Sequence, residues 1–110
     1  HFRFVMIKWQ KACDGDLFRL TVIKTALRYH PQLISFLFRP DKPEMFACPD
    51  KMLARAGGFS HGEQLLVQFA VDVWKSPSNE MHLRAWDMCC ILDSKNFAAI
   101  IDAMILWRAA

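Results

Sequence analysis

Four cysteines (Cys13, Cys48, Cys89 and Cys90) and the histidines His30, His61 and His82 supply the thiols and imidazoles with which this chain could do chemistry. Zinc sites draw their ligands in close pairs, and neither Cys-x-x-Cys nor His-Glu-x-x-His occurs here, so no metal site is expected. Cys89 and Cys90 are adjacent and would point about 100° apart on a helix, one inward and one not. A cysteine nucleophile needs a base within hydrogen-bond reach. His82 and Cys89 share a helical face but lie about 10 Å apart along it by helical rise, with Trp86 between them, so they do not pair. The carboxylates are scattered as well. Asp72 and Gln68, with Gln64 and Lys75, form the narrow polar stripe of an otherwise apolar segment and read as a solvated edge. No catalytic set emerges, and the expectation is a protein without enzymatic activity, cofactor or metal. The cysteines are expected to be reduced and mostly buried, because disulfide frameworks belong to small secreted domains with poor cores.

Gly57-Gly58-Phe59-Ser60-His61-Gly62-Glu63 invites a phosphate-binding reading, since a helix N-terminus offers free amides and the positive end of a dipole. Its own residues argue otherwise. Ser60 and Glu63 have the spacing of a capping box, in which each side chain satisfies the other residue's amide, and Glu63 would repel a phosphate. The lysine and preceding strand of a P-loop are missing. The motif therefore marks the start of a helix.

Charge is distributed unevenly. Residues 1–55 hold ten Lys and Arg against five Asp and Glu, a net of +5, whereas residues 56–110 hold four against six, a net of −2. Arg19, Lys24 and Arg28 form a candidate basic patch that Arg3, Lys8, Lys11, Arg39, Lys42 and Lys51 could extend, and such a surface suits an acidic protein partner or nucleic acid. Phe36, Phe38 and Phe46 flank a proline-rich connection with limited room to bury all three. Together with Arg39 they are the candidate protein interface, because aromatics and arginine are enriched in such surfaces.

These residues must be positioned by helices. Val5, Met6, Trp9 and Ala12 or Cys13 recur at helical spacing over about 3–13, and a second helix capped by Asp14 or Asp16 carries Leu17, Leu20, Ile23, Ala26 and Leu27 until Pro31. A third covers about 31–38. Pro40, Pro43 and Pro49 exclude a helix between Arg39 and Pro49. Further helices are expected over about 49–56, from Ser60 to Lys75, over 80–92 with Leu83, Trp86 and Cys90, and over 95–108 with Phe97, Ile100, Ile101, Met104 and Ile105 on one side and Leu106 on the other. The Ser60 helix is apolar around most of its circumference and should lie near the middle. No segment alternates like a strand. The fold class is all-α, a compact single-domain bundle of about five to six short helices over 1–110.

The 110 residues are 54% hydrophobic, with nine Phe and four Trp, against an ordinary share of about 45–50%. The chain can thus build a core and retain apolar surface for self-association. No window is long and apolar enough to span a bilayer, and the expectation is a cytoplasmic protein without a membrane partner. In size and style the chain resembles the small helical accessory or regulatory factors of bacteria and their mobile elements, without a diagnostic motif. The absence of a catalytic set and the basic N-terminal half together lead to the expectation of a non-enzymatic helical adaptor or regulator acting by contact with an acidic protein partner or by self-association. The alternative is a nucleic-acid-binding module using the basic N-terminal half.

Overall fold

The computed structural model describes residues 14–76 and 82–109. The helix expected over 3–13 lies outside them, as does Cys13. The described residues form six α-helices: α1 Asp14–Ala26, α2 Pro31–Leu37, α3 Pro49–Arg55, α4 His61–Lys75, α5 Ala85–Ile91 and α6 Ser94–Ala109, with a 3₁₀ turn Ala56–Gly58 between α3 and α4. The fold is all-α. Among the described residues the only extended pairing is an isolated antiparallel bridge between Phe38 and Met45.

Prolines and caps explain most of the boundaries. Pro31 and Pro49 each open a helix, where a missing amide costs nothing and the fixed φ is already helical. α4 begins with a complete capping box: Glu63 N donates to Ser60 Oγ at 3.3 Å, and Ser60 N donates to Glu63 Oε1 at 3.2 Å. Asp93 caps α6 by accepting from Asn96 N at 2.8 Å. Asp16 does not cap α1. It lies inside the first turn and pairs with Arg19 at 3.3 Å.

α4 is the central element and packs against α1, α3 and α5, while α1 also packs against α6. Leu66, Val67, Phe69, Ala70, Val71 and Val73 are all buried on it. Each β-branched valine weakens an isolated helix by up to about 0.7 kcal/mol. Burying each large apolar side chain returns roughly 1.5–3 kcal/mol, so tertiary packing decides that this segment is helical. On α1, Leu17, Leu20, Val22, Ile23 and Ala26 are buried between α4 and α6 and the rest of the core. Thr21, buried among them, donates its hydroxyl to Leu17 O at 2.9 Å and leaves no orphan donor.

Two expected helices are phased or placed differently. Of the helix expected over 80–92, residues 82–84 run without regular structure and α5 starts at Ala85, because His82 and Leu83 donate their backbone amides to the Asp72 carboxylate at 2.9 and 2.8 Å. On α6 the inward residues are Asn96, Ala99, Ile100 and Ala103, with Leu106 half-buried. Ile105, expected on the inner side, is 61% exposed.

Candidate functional site

The proline-rich connection folds back on α2 as a small hairpin. Arg39 N donates to Glu44 O at 2.8 Å and Phe46 N donates to Leu37 O at 3.0 Å, so Pro40 and Pro43 sit at the turn, where no amide is required of them. This closure lays the loop beside α1 and α2 and opens a groove of about 370 Å³ between them. α1 contributes Leu20 and Lys24, α2 contributes Ile34 and Ser35, and the chain beyond α2 contributes Phe38, Arg39, Pro40 and Phe46. Three of the four candidate interface residues thus share one groove with one of the three candidate basic residues.

The groove has an apolar floor and a cationic rim. Phe38 is only 4% exposed and meets Trp74 edge-on, ring centres 5.0 Å apart, so it is core and not an exposed anchor. Phe46 is 44% exposed and forms a wall. The Arg39 guanidinium lies over its ring, 5.6 Å from the centroid. Arg39 Nε is 3.1 Å from Glu44 Oε1, close enough for an ion pair although that N–H does not point at the oxygen, and Lys42 Nζ reaches the other carboxylate oxygen at 3.7 Å. Within the loop Asp41 and Glu44 balance Arg39 and Lys42, and Lys24 of α1 stands beside them in the groove lining. Phe36 lies outside the groove. It is half-buried against Phe59, ring centres 4.9 Å apart at 63°.

The other two basic residues point elsewhere. On an uninterrupted helix Arg19 and Arg28 would already stand about 180° apart. Arg19 donates to the Ser76 carbonyl at the end of α4, at 2.7 Å. α1 ends at Ala26, so Arg28 stands in the following turn and pairs with Asp102 of α6 at 2.8 Å. Asp102 first, and the neighbouring Tyr29 second, raise its pKa above the usual arginine value. Three of the cations behind the +5 of the N-terminal half, Arg3, Lys8 and Lys11, lie outside the described residues. Much of the remainder is neutralised locally. No single basic face joins Arg19, Lys24 and Arg28. A feature that helical spacing did not reveal is Tyr29, which has Arg28 at 5.2 Å and Lys95 at 5.0 Å from its ring centre.

Asp72 is buried, not a solvated edge. Besides the amides of His82 and Leu83 it accepts from Gln68 Nε2 at 3.0 Å, and His82 Nδ1 lies 3.4 Å away. An aspartate holding an imidazole resembles half of a hydrolytic triad. Here its oxygens are used to hold the chain entering α5, and among the described residues no hydroxyl or thiol hydrogen-bonds the far nitrogen of the His82 ring. The cysteines also differ from expectation: Cys48, Cys89 and Cys90 are free and exposed. α5 turns Met88 inward with half-buried Leu92 beyond it, which leaves Cys89, Cys90 and Trp86 outside, the last 73% exposed. Among the described residues no cluster of three or more His, Cys, Asp or Glu could hold a metal ion, and no helix is long and apolar enough to cross a membrane. Comparison with protein-family models, with curated proteins and with solved structures gave no match.

Proposed function

We propose that the protein is a non-enzymatic helical adaptor or regulator, acting in the cytoplasm, that holds an acidic, apolar segment of a protein partner in the groove between α1, α2 and the 39–46 loop. The observation that carries this reading is the composition of that groove: Leu20, Ile34, Phe38, Pro40 and Phe46 form an apolar trough, with Lys24 and Arg39 at its edge. Phe46 supplies an exposed apolar aromatic wall, and the guanidinium of Arg39, a residue type enriched where binding energy concentrates, is held over it. The cationic side chains in the lining, Lys24 and Arg39, suit a segment that carries carboxylates beside its apolar residues, a complementarity that raises association rate and selectivity more than affinity. Exposed Trp86 and Ile105 support self-association as a further mode of contact.

Nucleic-acid binding is the second reading, favoured by Tyr29 between Arg28 and Lys95, an exposed ring flanked by two cations. Arg28 is already engaged by Asp102, and backbone tracking along a strand requires a continuous basic path. The groove reading is therefore preferred. Panning a random linear peptide library against the protein tests it: peptides combining Asp or Glu with large apolar residues should be enriched on the wild type and lost on a Phe46→Asp variant. Enrichment unchanged by that substitution, or no enrichment, would overturn it.

A further inference from the structure

The size of the groove between α1, α2 and the 39–46 loop limits what can fill it. Ligand pockets usually run from about 300 to 1,000 Å³, and a groove of about 370 Å³ stands at the lower end of that range. An apolar cavity of about 150 Å³ already holds a benzene-sized ring. One large side chain with its own main-chain atoms therefore fills the groove, and a second has no room. A carboxylate that meets the cations of the lining must then lie close to that side chain. In an extended segment neighbouring side chains point to opposite faces, and the next one on the same face is about 6.5 Å further along. In a helix the nearest same-face neighbour is about 5–6 Å away. Only at the end of a chain do one residue's apolar side chain and a carboxylate share the same Cα.

The lining offers donors for such a group. Lys24 of α1, Ser35 of α2 and Arg39 beyond it bring an ammonium, a hydroxyl and a guanidinium to the groove from three parts of the chain. No Asp or Glu is in the lining, because Glu44, which pairs with Arg39, stands outside it. That pairing is made at Nε, and the remaining N–H donors of the guanidinium are on its terminal nitrogens. Ser35 is exposed, and among the described residues its hydroxyl enters no hydrogen bond. An ionised carboxylate accepts at both oxygens and donates nothing, which matches this set.

We infer that the groove takes the C-terminal residue of a protein partner, its apolar side chain lying against Phe38 and Phe46 and its free α-carboxylate accepting from Lys24, Arg39 and Ser35. The inference rests on the groove reading and narrows it from an acidic segment to a chain end. Random heptapeptides displayed with free C-termini and panned on the protein should be enriched in sequences ending in Leu, Ile, Met or Phe. A selected peptide is then made with a free carboxyl, with a C-terminal amide, and with Gly-Ser-Gly appended. Fluorescence polarisation of an N-terminal fluorophore gives its affinity for the wild type, Lys24→Gln, Arg39→Gln and Phe46→Asp. On the wild type, amidation and extension should each weaken binding at least tenfold. Lys24→Gln or Arg39→Gln should cut the acid-to-amide ratio at least threefold, which loss of packing alone would not do. Phe46→Asp should abolish binding of all three forms. Peptides that bind equally well when amidated or extended, yet are lost on Phe46→Asp, would overturn the chain-end inference and leave the groove reading standing. A ratio unchanged in both charge variants would overturn the inference as well. No enrichment, or binding indifferent to Phe46→Asp, would overturn both.

Discussion

Replacing Asp72 by alanine should be the most damaging polar substitution among the described residues, and its cost follows from where each freed donor ends up. The carboxylate accepts from Leu83 N at 2.8 Å, His82 N at 2.9 Å and Gln68 Nε2 at 3.0 Å. Hydrogen bonds to a charged acceptor contribute about 1.5–3 kcal/mol each, and a stranded buried donor costs about 1–3 kcal/mol. Leu83 is buried, so its amide cannot be rewetted without lifting the 82–84 segment off α4, whereas His82 is exposed and half-buried Gln68 reaches water more easily. One full loss and fractions of two others give about 2–4 kcal/mol for Asp72→Ala. Asp72→Asn keeps an oxygen for the two amides and loses the charge, so its cost should be about 1–2 kcal/mol. Both variants should remain folded, since single domains have about 5–15 kcal/mol of stability. Urea denaturation followed by tryptophan fluorescence measures this, with an unchanged slope expected for both variants. A loss below about 1 kcal/mol for alanine, or equal losses for alanine and asparagine, would refute the reasoning that these amides depend on a buried negative charge.

Ser60→Ala should cost about 0.5–2 kcal/mol by opening the capping box, and should leave any binding measured on the still-folded protein intact. Lost binding at unchanged melting temperature would show that Ser60 belongs to a site. Cys48, Cys89 and Cys90 should each react with a thiol reagent in the folded protein without denaturant, and Cys89→Ser and Cys90→Ser should change stability by no more than about 0.5 kcal/mol. Thiols that react only after unfolding would contradict the exposure of α5's outer face. Metal analysis of protein purified without chelator should find no stoichiometric zinc.

The helices were legible where the signal is local. Pro31, Pro49 and the Ser60/Glu63 box act within one turn, and the structure starts helices at all three places. The central position of α4 followed from apolar residues around its circumference. What was not legible depended on residues distant in sequence. The start of α5 is set by Asp72, ten residues before His82, and no propensity of residues 80–84 reports that. The phase of α6 was misjudged because Ile105 and Leu106 are equally apolar, and only the position of α1 determines which is covered. Trp86 and Cys90 were grouped with Leu83 on one helical face, and one of Cys89 and Cys90 was expected inward, although a seven-residue helix such as α5 has little face to bury and leaves all three outside. For the groove, aromatic and arginine content pointed to the 36–46 region, but charge counting joined Arg19, Lys24 and Arg28 into one patch when helical rotation already separates Arg19 from Arg28. The hydrogen bond between Asn96 and His30 carried no sequence signal, because the two residues are 66 positions apart.

The most direct measurement of the groove reading is the affinity of a library-selected acidic, apolar peptide for the wild type, Phe46→Asp and Lys24→Glu, beside an unrelated DNA duplex, at about 150 mM salt. The peptide should bind the wild type, Phe46→Asp should abolish binding, and Lys24→Glu should slow association with a smaller effect on dissociation. Duplex DNA should show no binding at micromolar concentrations. Equal peptide affinity for all three proteins, or micromolar duplex binding lost on Lys24→Glu with Arg28→Glu, would contradict the account.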